Sequence, residues 1–343
     1  MIQQRKADHL RICAEQDVEF RKTTLLEDVQ LVHTALAGLS LDGIDTSTRF
    51  MGRRMRAPLM ISAISGGAGE ASSMNRDLAK AAQHLGLAFC LGSQRPMLED
   101  RKWTASYQVR RYAPDILILG NLGIQQAAVT DLGRLEGLVA DIRADGLAIH
   151  LNPAQELAQP EGDRSFPDGC GVLRALTRRL PGRVMVKETG CGISREVGLK
   201  LKQAGVRVLD TAGAGGTSWP KVERMRSAAG QSWLDEWGIP TAVSLCEAAP
   251  LGFELVASGG LRSGLDVAKC LVLGADAAGM ALPVLRAYRK GGHKAVVAFL
   301  EKVLWELKAV MLLTGAKDIQ SFKKQKPVIT GRLREWITSR RRR

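Results

Sequence analysis

The sequence predicts an α/β protein with the fold of a single (β/α)8 TIM barrel. Eight short, nearly continuous apolar segments recur along the chain, and most are followed by one helical pattern. Polar residues or glycines stand where these segments end. Apolar strands alternating with amphipathic helices are typical of a parallel sheet covered on both faces. Eight such units favour closure into a barrel over an open doubly wound sheet.

The chain divides into three parts of one predicted domain. Residues 1–56 form an N-terminal extension, with a short helix around Asp8 and a hairpin over Thr46–Met55. We expect this hairpin to cover the bottom of the barrel. Residues 57–283 carry the barrel strands. Residues 284–343 carry C-terminal helices, with a long helix over Leu285–Leu313, and a basic tail.

The barrel elements are predicted from the apolar periodicity. The strands are Ala57–Ile64, Leu87–Leu91, Ile116–Leu119, Leu147–Leu151, Arg183–Lys187, Val206–Thr211, Phe253–Ser258 and Asp276–Ala281. The helices are Met74–Leu85, Trp103–Arg111, Leu135–Ala144, Cys170–Arg179, Ser194–Ala204, Thr241–Ala248 and Leu265–Leu273. Long connections, such as Ala212–Trp237, tend to be functional in barrels.

Composition restricts the class of protein. The first twenty residues are charged and lack the apolar run of a signal peptide, and no stretch is apolar enough for a membrane helix. The six cysteines form no C-x-x-C pair. This argues against a zinc site and for reduced thiols in the cytoplasm.

A formal net charge of +14 indicates anionic partners. Part of this charge lies in the C-terminal tail: Lys323, Lys324, Lys326, Arg332, Arg334 and Arg340 to Arg343. Few aromatic residues interleave with these charges and no nucleic-acid recognition motif occurs, so we expect a solvated basic terminus. Basic residues elsewhere can serve a small, highly anionic substrate.

The stretch Phe253–Pro283 reads as a strand, a helix and a second strand. The first strand ends at Gly259-Gly260, and Ser263 with Asp266 has the spacing of a capping box. Bare backbone N–H groups and a helix N-terminus suit an anion, and the loops after strands seven and eight are the usual phosphate site of a barrel. The alternative is an ordinary turn whose glycines only permit tight packing.

Polar side chains from at least six strand ends are predicted to converge on one ligand site. Lys187 ends an apolar strand, and both a Schiff base and a cofactor contact are open to it. His150 and Glu156 have no second ligand at zinc spacing, whereas one carboxylate with phosphate oxygens suits magnesium. No Walker loop, nucleophile elbow or dinucleotide fingerprint occurs.

The motifs RKADH, ISGG, GSQR, LGNLG, HLNPAQE, EGDRSF, VKETGCGIS, DTAGAGGTSW, ASGGLRSG and GADAAGMALP follow in order along nearly the whole chain. In these motifs the sequence resembles the type 2 isopentenyl-diphosphate isomerases, flavin-dependent barrels that interconvert isopentenyl and dimethylallyl diphosphate in isoprenoid biosynthesis. The resemblance implies FMN and Mg²⁺ as cofactors and NADPH as the reductant of the flavin. It also implies a homo-oligomer, a tetramer or octamer, which the residues alone do not predict.

The resemblance implies a role for each matching residue. The flavin ring and ribityl chain would contact Ala63, Ile64, Ser65, Ser93, Asn121, Lys187 and Thr217. The FMN phosphate would contact Gly259, Gly260, Arg262, Met280 and Ala281. The substrate would contact Arg5, Lys6, Ser93, Arg95, His150, Asn152 and Gln155. Gln155 would be catalytic, beside the reacting carbons, and Glu156 would hold magnesium.

Three features depart from the family pattern. Ile64-Ser65 stands where relatives often have Met-Thr, which retains a hydroxyl but changes the apolar neighbour of the ring. Cys191 occupies a position that is often bulkier, so we expect a roomier mouth. The basic tail lies outside the resemblance.

Two rival functions use the same kind of fold. An FMN-dependent 2-hydroxy-acid oxidase needs a histidine in the loop after a late strand, and no histidine lies between Lys187 and Gly259. A non-catalytic flavin-binding regulator has no reason to keep four polar residues at one strand end, namely His150, Asn152, Gln155 and Glu156. The isomerase is therefore the preferred prediction.

Overall fold

The computed structural model describes residues 2–67, 69–166, 168–227 and 232–341. The chain begins with helix α1 (Ile2–Glu15), followed by the short strand β1 (Val29–Gln30). A hairpin of β2 (Thr48–Phe50) and β3 (Arg53–Met55) comes next, as predicted.

Eight parallel strands close into a barrel, which confirms the predicted fold. They are β4 (Leu59–Ile61), β5 (Ala88–Cys90), β6 (Ile118–Gly123), β7 (Gly146–Leu151), β8 (Val184–Glu188), β9 (Val208–Asp210), β10 (Glu254–Ser258) and β11 (Ala277–Met280). Each strand pairs with its neighbour in chain order, and β11 pairs with β4 to close the ring. Each observed strand overlaps its predicted segment.

Helices follow the barrel strands. The longer helices of the repeating units cover the outside of the barrel, whereas the short ones and the helix in the long connection contribute residues to the cavity at the carboxyl ends of the strands. The helices are α2 (Glu70–Leu85), α3 (Arg95–Glu99), α4 (Ile124–Ala128), α5 (Leu132–Ala140), α6 (Pro153–Ala158), α7 (Cys170–Arg179), α8 (Arg195–Gln203), α9 (Trp219–Ser227), α10 (Thr241–Ala248) and α11 (Gly264–Val272). The predicted bounds of α7 and α10 are the observed ones. The long connection over Ala212–Trp237 contains α9.

The predicted helix over Trp103–Arg111 is wrong as an α-helix. The segment forms 3-10 turns at Arg101–Tyr107 and Arg110–Tyr112. Tyr107 is fully buried there, and its hydroxyl donates to the Ser93 carbonyl at 2.6 Å. This tertiary contact draws the chain inward, and the periodic pattern alone does not reveal it.

The hairpin closes the amino-terminal end of the barrel, as expected. The Met51 amide donates to Glu254 Oε1 at 2.6 Å, and Glu254 is the first residue of β10. Phe50 is fully buried and packs in the cluster that fills the barrel interior. The opposite end, where the strands finish, is left for the site.

The C-terminal segment packs against the barrel. It comprises α12 (Leu282–Leu313), interrupted at Gly291 and Gly292, then α13 (Ile319–Lys323), β12 (Val328–Ile329) and α14 (Gly331–Arg341). β12 pairs antiparallel with β1. Among the described residues, no helix is both long and apolar enough to cross a membrane.

The expectation of a solvated basic terminus is right for Arg332 and Arg334, which are exposed, and wrong for Arg340. Leu333 is fully buried, and Arg340 donates to Glu196 and to Glu247 at 2.7 and 2.8 Å. Burial of one leucine and a bridge to two carboxylates fix this helix on the barrel. Arg342 and Arg343 lie outside the described residues.

Candidate active site

A cavity opens at the carboxyl ends of the barrel strands, beneath α1. All the residues predicted for the site line it: Arg5, Lys6, Ala63, Ile64, Ser65, Ser93, Arg95, Asn121, His150, Asn152, Gln155, Glu156, Lys187, Thr217, Gly259, Gly260, Arg262, Met280 and Ala281. The structure therefore brings these residues together, while their individual roles remain predictions. His9, Gln159 and Trp219 also line the cavity, and sequence reasoning missed them.

Two glycine loops meet backbone to backbone at one end of the cavity. Gly259 and Gly260 have φ values of +96° and +83°, which favour glycine. A Cβ on Gly259 would lie 2.0 Å from the Gly213 carbonyl oxygen, and one on Gly216 would lie 2.3 Å from the Gly260 nitrogen. Helix α11 begins beside them with the predicted Ser263–Asp266 capping box. In this cradle, bare backbone N–H groups beside a helix N-terminus suit a phosphate group.

Arg262, predicted to bind that phosphate, is held by a glutamate that sequence reasoning missed. Its Nε donates to Glu19 Oε1 at 3.1 Å, and Arg286 Nη1 donates to Glu19 Oε2 at 2.8 Å. Burial raises the pKa of Glu19, but the two guanidiniums lower it further, so that the net direction is downward. Glu19 therefore stays ionised and fixes Arg262 at the edge of the cradle.

Polar side chains from five consecutive strands, β6 to β10, form a layer at the top of the barrel. In chain order they are Asn121, His150, Lys187, Asp210 and Ser258. Asn121 Oδ1 lies 2.8 Å from His150 Nδ1, and Ser258 Oγ donates to Asp210 Oδ1 at 2.7 Å. These side chains place amide, imidazole, ammonium and carboxylate groups near one another at the carboxyl ends of the strands.

His150 is neutral in this structure. Burial lowers its pKa to about 3, with a further contribution from Lys187 and Lys6. Since Asn121 Oδ1 accepts from Nδ1, the free lone pair of the imidazole is on Nε2. The positive charge at the cavity therefore comes from other residues.

Three basic side chains supply that charge at the rim. Lys6 Nζ donates to the carbonyls of Gly66 and Ser93 at 2.5 and 3.0 Å, which ties α1 to two strand ends. Burial, with Arg5 beside it, lowers the pKa of Lys6 to about 7. Arg95 and Arg5 complete the cationic side of the cavity.

Lys187 is buried at the floor of the cavity, with its ammonium donating to the Glu188 carbonyl. The Glu188 carboxylate in turn accepts from the Thr189 and Gly190 amides, both at 2.6 Å. Burial raises the pKa of Glu188 to about 7. This loop fixes the backbone around Lys187, so that its side chain faces the cavity.

The expected effect of Cys191 on the mouth stays a prediction. Cys191 lies in the loop that follows β8 and is not among the residues that line the cavity. Its Sγ lies 3.3 Å from the Trp237 carbonyl oxygen.

The buried carboxylate of Glu223 on α9 accepts hydrogen bonds from two glutamines that line the cavity. Its Oε1 accepts from Gln155 Nε2 at 3.0 Å and from Gln159 Nε2 at 2.8 Å, and His9 Nε2 lies 3.0 Å away. Burial raises its pKa, but His9, Gln155 and Arg226 outweigh this and lower the pKa to about 2. Glu223 is therefore a fully buried anion.

Glu223 follows Trp219 by four residues, so both lie on one face of α9. His9 follows Arg5 on α1 with the same spacing. The four-residue spacing is the signal that could have identified Glu223 and His9. For Glu223, the spacing is informative only if Trp219 is known to line the cavity.

The carboxylate of Glu156 is held at the rim by two donors. Asn152 Nδ2 donates to Oε1 at 2.9 Å and the Asp163 amide donates to Oε2 at 3.0 Å. Asn152 Oδ1 is buried and has no partner among the described residues. In the described part of the chain, no three His, Cys, Asp or Glu side chains are grouped to hold a metal. The carboxylate and amide oxygens suit magnesium only with further oxygens, such as those of a diphosphate.

Comparisons with known proteins agree with this geometry. The FMN-dependent dehydrogenase family matches residues 1–104 and 238–328. Isopentenyl-diphosphate delta-isomerase of Methanothermobacter thermautotrophicus is 42% identical over 99% of this chain and 97% of its own. The Pyrococcus abyssi and Metallosphaera sedula proteins of that name are 42% and 39% identical, each over 98% of this chain and 95% of their own.

Solved structures of flavin oxidases share the fold. A lactate oxidase from Pediococcus acidilactici superposes with a TM-score of 0.68 at 16% identity, covering 91% of this chain and 88% of its own. A mandelate oxidase superposes with a TM-score of 0.63 at 18% identity, covering 90% of each chain. At these identities the likeness shows the fold alone.

The fold and the family match define an FMN-dependent flavoprotein of the (β/α)8-barrel class. Within that class, the identities of about 40% over nearly the whole chain decide the family. The chain belongs to the isopentenyl-diphosphate delta-isomerases. The sequence motifs suggested that the C-terminal tail lies outside the resemblance. This is wrong for most of the tail, because the matches reach 98–99% of the chain.

Proposed function

We propose that the protein interconverts isopentenyl and dimethylallyl diphosphate by moving protons within this cavity. The observation that carries the proposal is the placement of Gln155, which lines the cavity and bonds to the buried anion Glu223 at 3.0 Å. Full-length similarity to isomerases of that name supports the substrate.

The residues present fit FMN. The cradle of Gly259 and Gly260 suits its phosphate, and Lys187 with Asn121 suits its ring. We place the ribityl chain along Ser65, Ser93 and Thr217. The apolar ring neighbours are Ala63 and Ile64, and Met280 and Ala281 complete the phosphate end. When bound and reduced, FMN supplies the acid–base group of the reaction, and we expect NADPH to be its transient reductant.

The diphosphate is placed at the cationic rim. Arg5, Lys6 and Arg95 neutralise its charge, and the neutral His150 with Asn152 adds hydrogen bonds. Anchoring the diphosphate there directs the five-carbon chain toward the polar layer at the top of the barrel. Binding energy from this remote group can orient the reacting carbons.

The reacting carbons develop tertiary cationic character, which water would quench. Leu10 and Trp219 line the cavity beneath α1, and they exclude water from this region. Gln155 cannot itself transfer the proton, because an amide is a poor acid and base. Its amide is fixed by Glu223, so that its oxygen can face the positive charge that develops.

We propose magnesium at Glu156, with the bare Asn152 Oδ1 as a neighbouring oxygen. Diphosphate oxygens and water would complete a shell of hard oxygen ligands. The metal would then bind together with substrate rather than before it.

The second candidate is a 2-hydroxy-acid oxidase. The FMN-dependent dehydrogenase match and the solved oxidase structures favour it at the level of the fold. Against it, no histidine lies between Lys187 and Gly259 to accept the substrate proton. We infer that the chain carries the cofactor of that class without its catalytic base.

The test is direct. The purified protein should contain FMN and, after anaerobic reduction by NADPH, convert isopentenyl diphosphate with Mg²⁺ while consuming no further reductant. A colourless protein, or one that is inactive on isopentenyl diphosphate but oxidises lactate or mandelate, would contradict the proposal. Steady turnover would exclude a non-catalytic flavin-binding regulator.

We also expect a homo-oligomer, a tetramer or octamer, in the cytoplasm. The basic residues at the cavity select a small anionic molecule, and we propose no nucleic acid as partner. Sedimentation velocity of the FMN-loaded protein measures the oligomeric state, and a monomer at micromolar concentration would contradict this expectation.

A further inference from the structure

The polar layer contains a buried carboxylate that the proposed reaction does not use. Asp210 ends β9 and is completely buried. Its Oδ1 accepts from Ser258 Oγ at 2.7 Å and from the Ala212 amide at 3.1 Å. Its Oδ2 has no hydrogen-bond partner among the described residues. A buried carboxylate with a bare oxygen is costly unless a charge compensates it.

Lys187 is the cation that acts on Asp210, although the two side chains form no direct ion pair in the described structure. In the parallel pairing of β8 with β9, Lys187 lies directly opposite Asp210. Its side chain is only 8% exposed, and its ammonium makes one hydrogen bond in the described structure, to the Glu188 carbonyl. Two of its three donors are therefore available to other groups.

The electrostatics of the pair agree with this placement. Burial raises the pKa of Asp210, and Lys187 opposes this effect more than any other group. The other carboxylate beside Lys187, that of Glu188, accepts hydrogen bonds from the amides of its own loop.

We propose that Asp210 is a positioning residue that serves as the counter-charge of Lys187, and that together they set the charge presented to the ring of bound FMN. The inference rests on the proposed placement of the ring against Lys187. Asp210 itself does not line the cavity, whereas Lys187 does, so Asp210 acts through Lys187.

An ionised Asp210 makes the pair electrically neutral. Asp210→Asn keeps the shape and an oxygen that can accept from Ser258 and Ala212, but leaves Lys187 as an unbalanced cation. Reduced flavin carries more negative charge than oxidised flavin. The variant should therefore favour reduced FMN over oxidised FMN more strongly than the unmodified protein does.

The experiment measures the midpoint potential of FMN bound to the full chain, at saturating FMN, by anaerobic titration with dithionite and a reference dye. Asp210→Asn should increase the preference of the protein for reduced over oxidised FMN by about tenfold. This corresponds to a rise in the midpoint potential of ~30 mV for a two-electron couple. Ser258→Ala, which removes a hydrogen bond but no charge, should show no comparable shift. Asp210→Ser is the second variant if Asp210→Asn fails to fold, as judged by circular dichroism.

A double-mutant cycle isolates the path through Lys187. In the Lys187→Met background, Asp210→Asn should leave the potential unchanged, because the cation is already absent. An unaltered potential in Asp210→Asn alone, or an equal shift with and without Lys187, would overturn the inference. If Lys187→Met altered neither FMN affinity nor potential, the placement of the ring would be wrong, and with it the proposed use of the site.

Discussion

At the residue scale, Gln155 is the side chain on which the chemistry most depends. It joins the cavity to Glu223, and an amide can orient charge without exchanging protons. We expect Gln155→Ala to fold, retain FMN and bind substrate nearly as before. Its turnover should fall by roughly a hundredfold or more, the scale of a positioned acid–base contribution. Deuterium exchange between substrate and solvent should fall in parallel.

The matched control is Gln83→Ala. Gln83 also donates to a carboxylate, that of Asp115 at 2.9 Å, but on the surface of the barrel. It should leave turnover and exchange unchanged. Exchange at the unmodified rate in Gln155→Ala would remove Gln155 from the reaction.

Glu156 governs the response to magnesium in the proposed site. Glu156→Gln keeps the acceptor for the Asp163 amide but removes the charge that a hard cation requires. The magnesium concentration for half-maximal turnover should rise at least tenfold, on the order of 1.4 kcal/mol. FMN affinity, measured by fluorescence quenching, should not change. A magnesium response like that of the unmodified protein would place the metal elsewhere.

Lys6 gives diphosphate binding a dependence on pH. Its pKa of about 7 means that the cation is lost as the pH rises above 7. The unmodified protein should bind the diphosphate more tightly than Lys6→Met does at pH 7. This ratio of affinities should fall by up to about tenfold per pH unit above pH 7, until the pH reaches the higher pKa that Lys6 has in the substrate complex. Calorimetric titration of the FMN-loaded protein measures this. A constant advantage from pH 6 to 9 would show that Lys6 keeps its proton.

The same residue affects stability with the opposite sign. Below pH 7 Lys6 is protonated in both folded and unfolded chains. Above pH 7 and up to the ordinary lysine value of 10.5, the unfolded chain binds more protons. Stability of the unliganded protein therefore gains from Lys6 as the pH rises through this window.

At the element scale, the cap of α11 connects helix stability to the phosphate cradle. Ser263 accepts from the Asp266 amide, and Ser263→Ala should lower the free energy of unfolding by about 1 kcal/mol. Because Gly260 lies three residues before the cap, FMN affinity should fall as well. Urea denaturation and fluorescence quenching measure the two effects.

Ser194→Ala provides the comparison. Ser194 caps α8 by accepting from the Val197 amide, away from the cradle. Ser194→Ala should lower the free energy of unfolding about as much as Ser263→Ala does, and should leave FMN affinity unchanged. Equal effects of the two substitutions on FMN would show that the cap of α11 has no special connection to the phosphate.

The sequence predicted the barrel because its strands are apolar and its repeats are regular. It also predicted that the residues at the strand ends lie close together, because all strands of a parallel barrel finish at the same end. It missed Glu223 and Glu19, which come from the long connection and the N-terminal extension. Their contacts are long-range, and the spacing of Glu223 from Trp219 becomes a signal only once Trp219 is known to line the cavity. The predicted helix around Tyr107 was wrong for the same reason, because the long-range burial of Tyr107 goes with 3-10 turns instead of an α-helix.

At the scale of the whole molecule, the N- and C-terminal segments are parts of one structure with the barrel. β1 pairs with β12, and α14 is seated on the barrel by the fully buried Leu333. Leu333→Ala should lower the free energy of unfolding by about 2–4 kcal/mol through loss of buried surface and a cavity. Its FMN affinity and turnover at low temperature should be retained, because α14 does not line the cavity.

Val328→Ala is the control for this substitution. Val328 lies in the same segment but is 52% exposed, so its loss should cost little. Thermal denaturation followed by circular dichroism compares the two variants. If Leu333→Ala melted with the unmodified protein, the tail would be dispensable to the fold.

The contact between the two glycine loops restricts how this protein can change. A side chain on Gly259 or Gly216 would collide with backbone of the facing loop, not with a side chain that could move aside. In a saturation library, these positions should therefore tolerate almost no replacement, and a change in one loop needs a matching change in the other. A designer therefore cannot reshape the cradle by single substitutions at these two glycines.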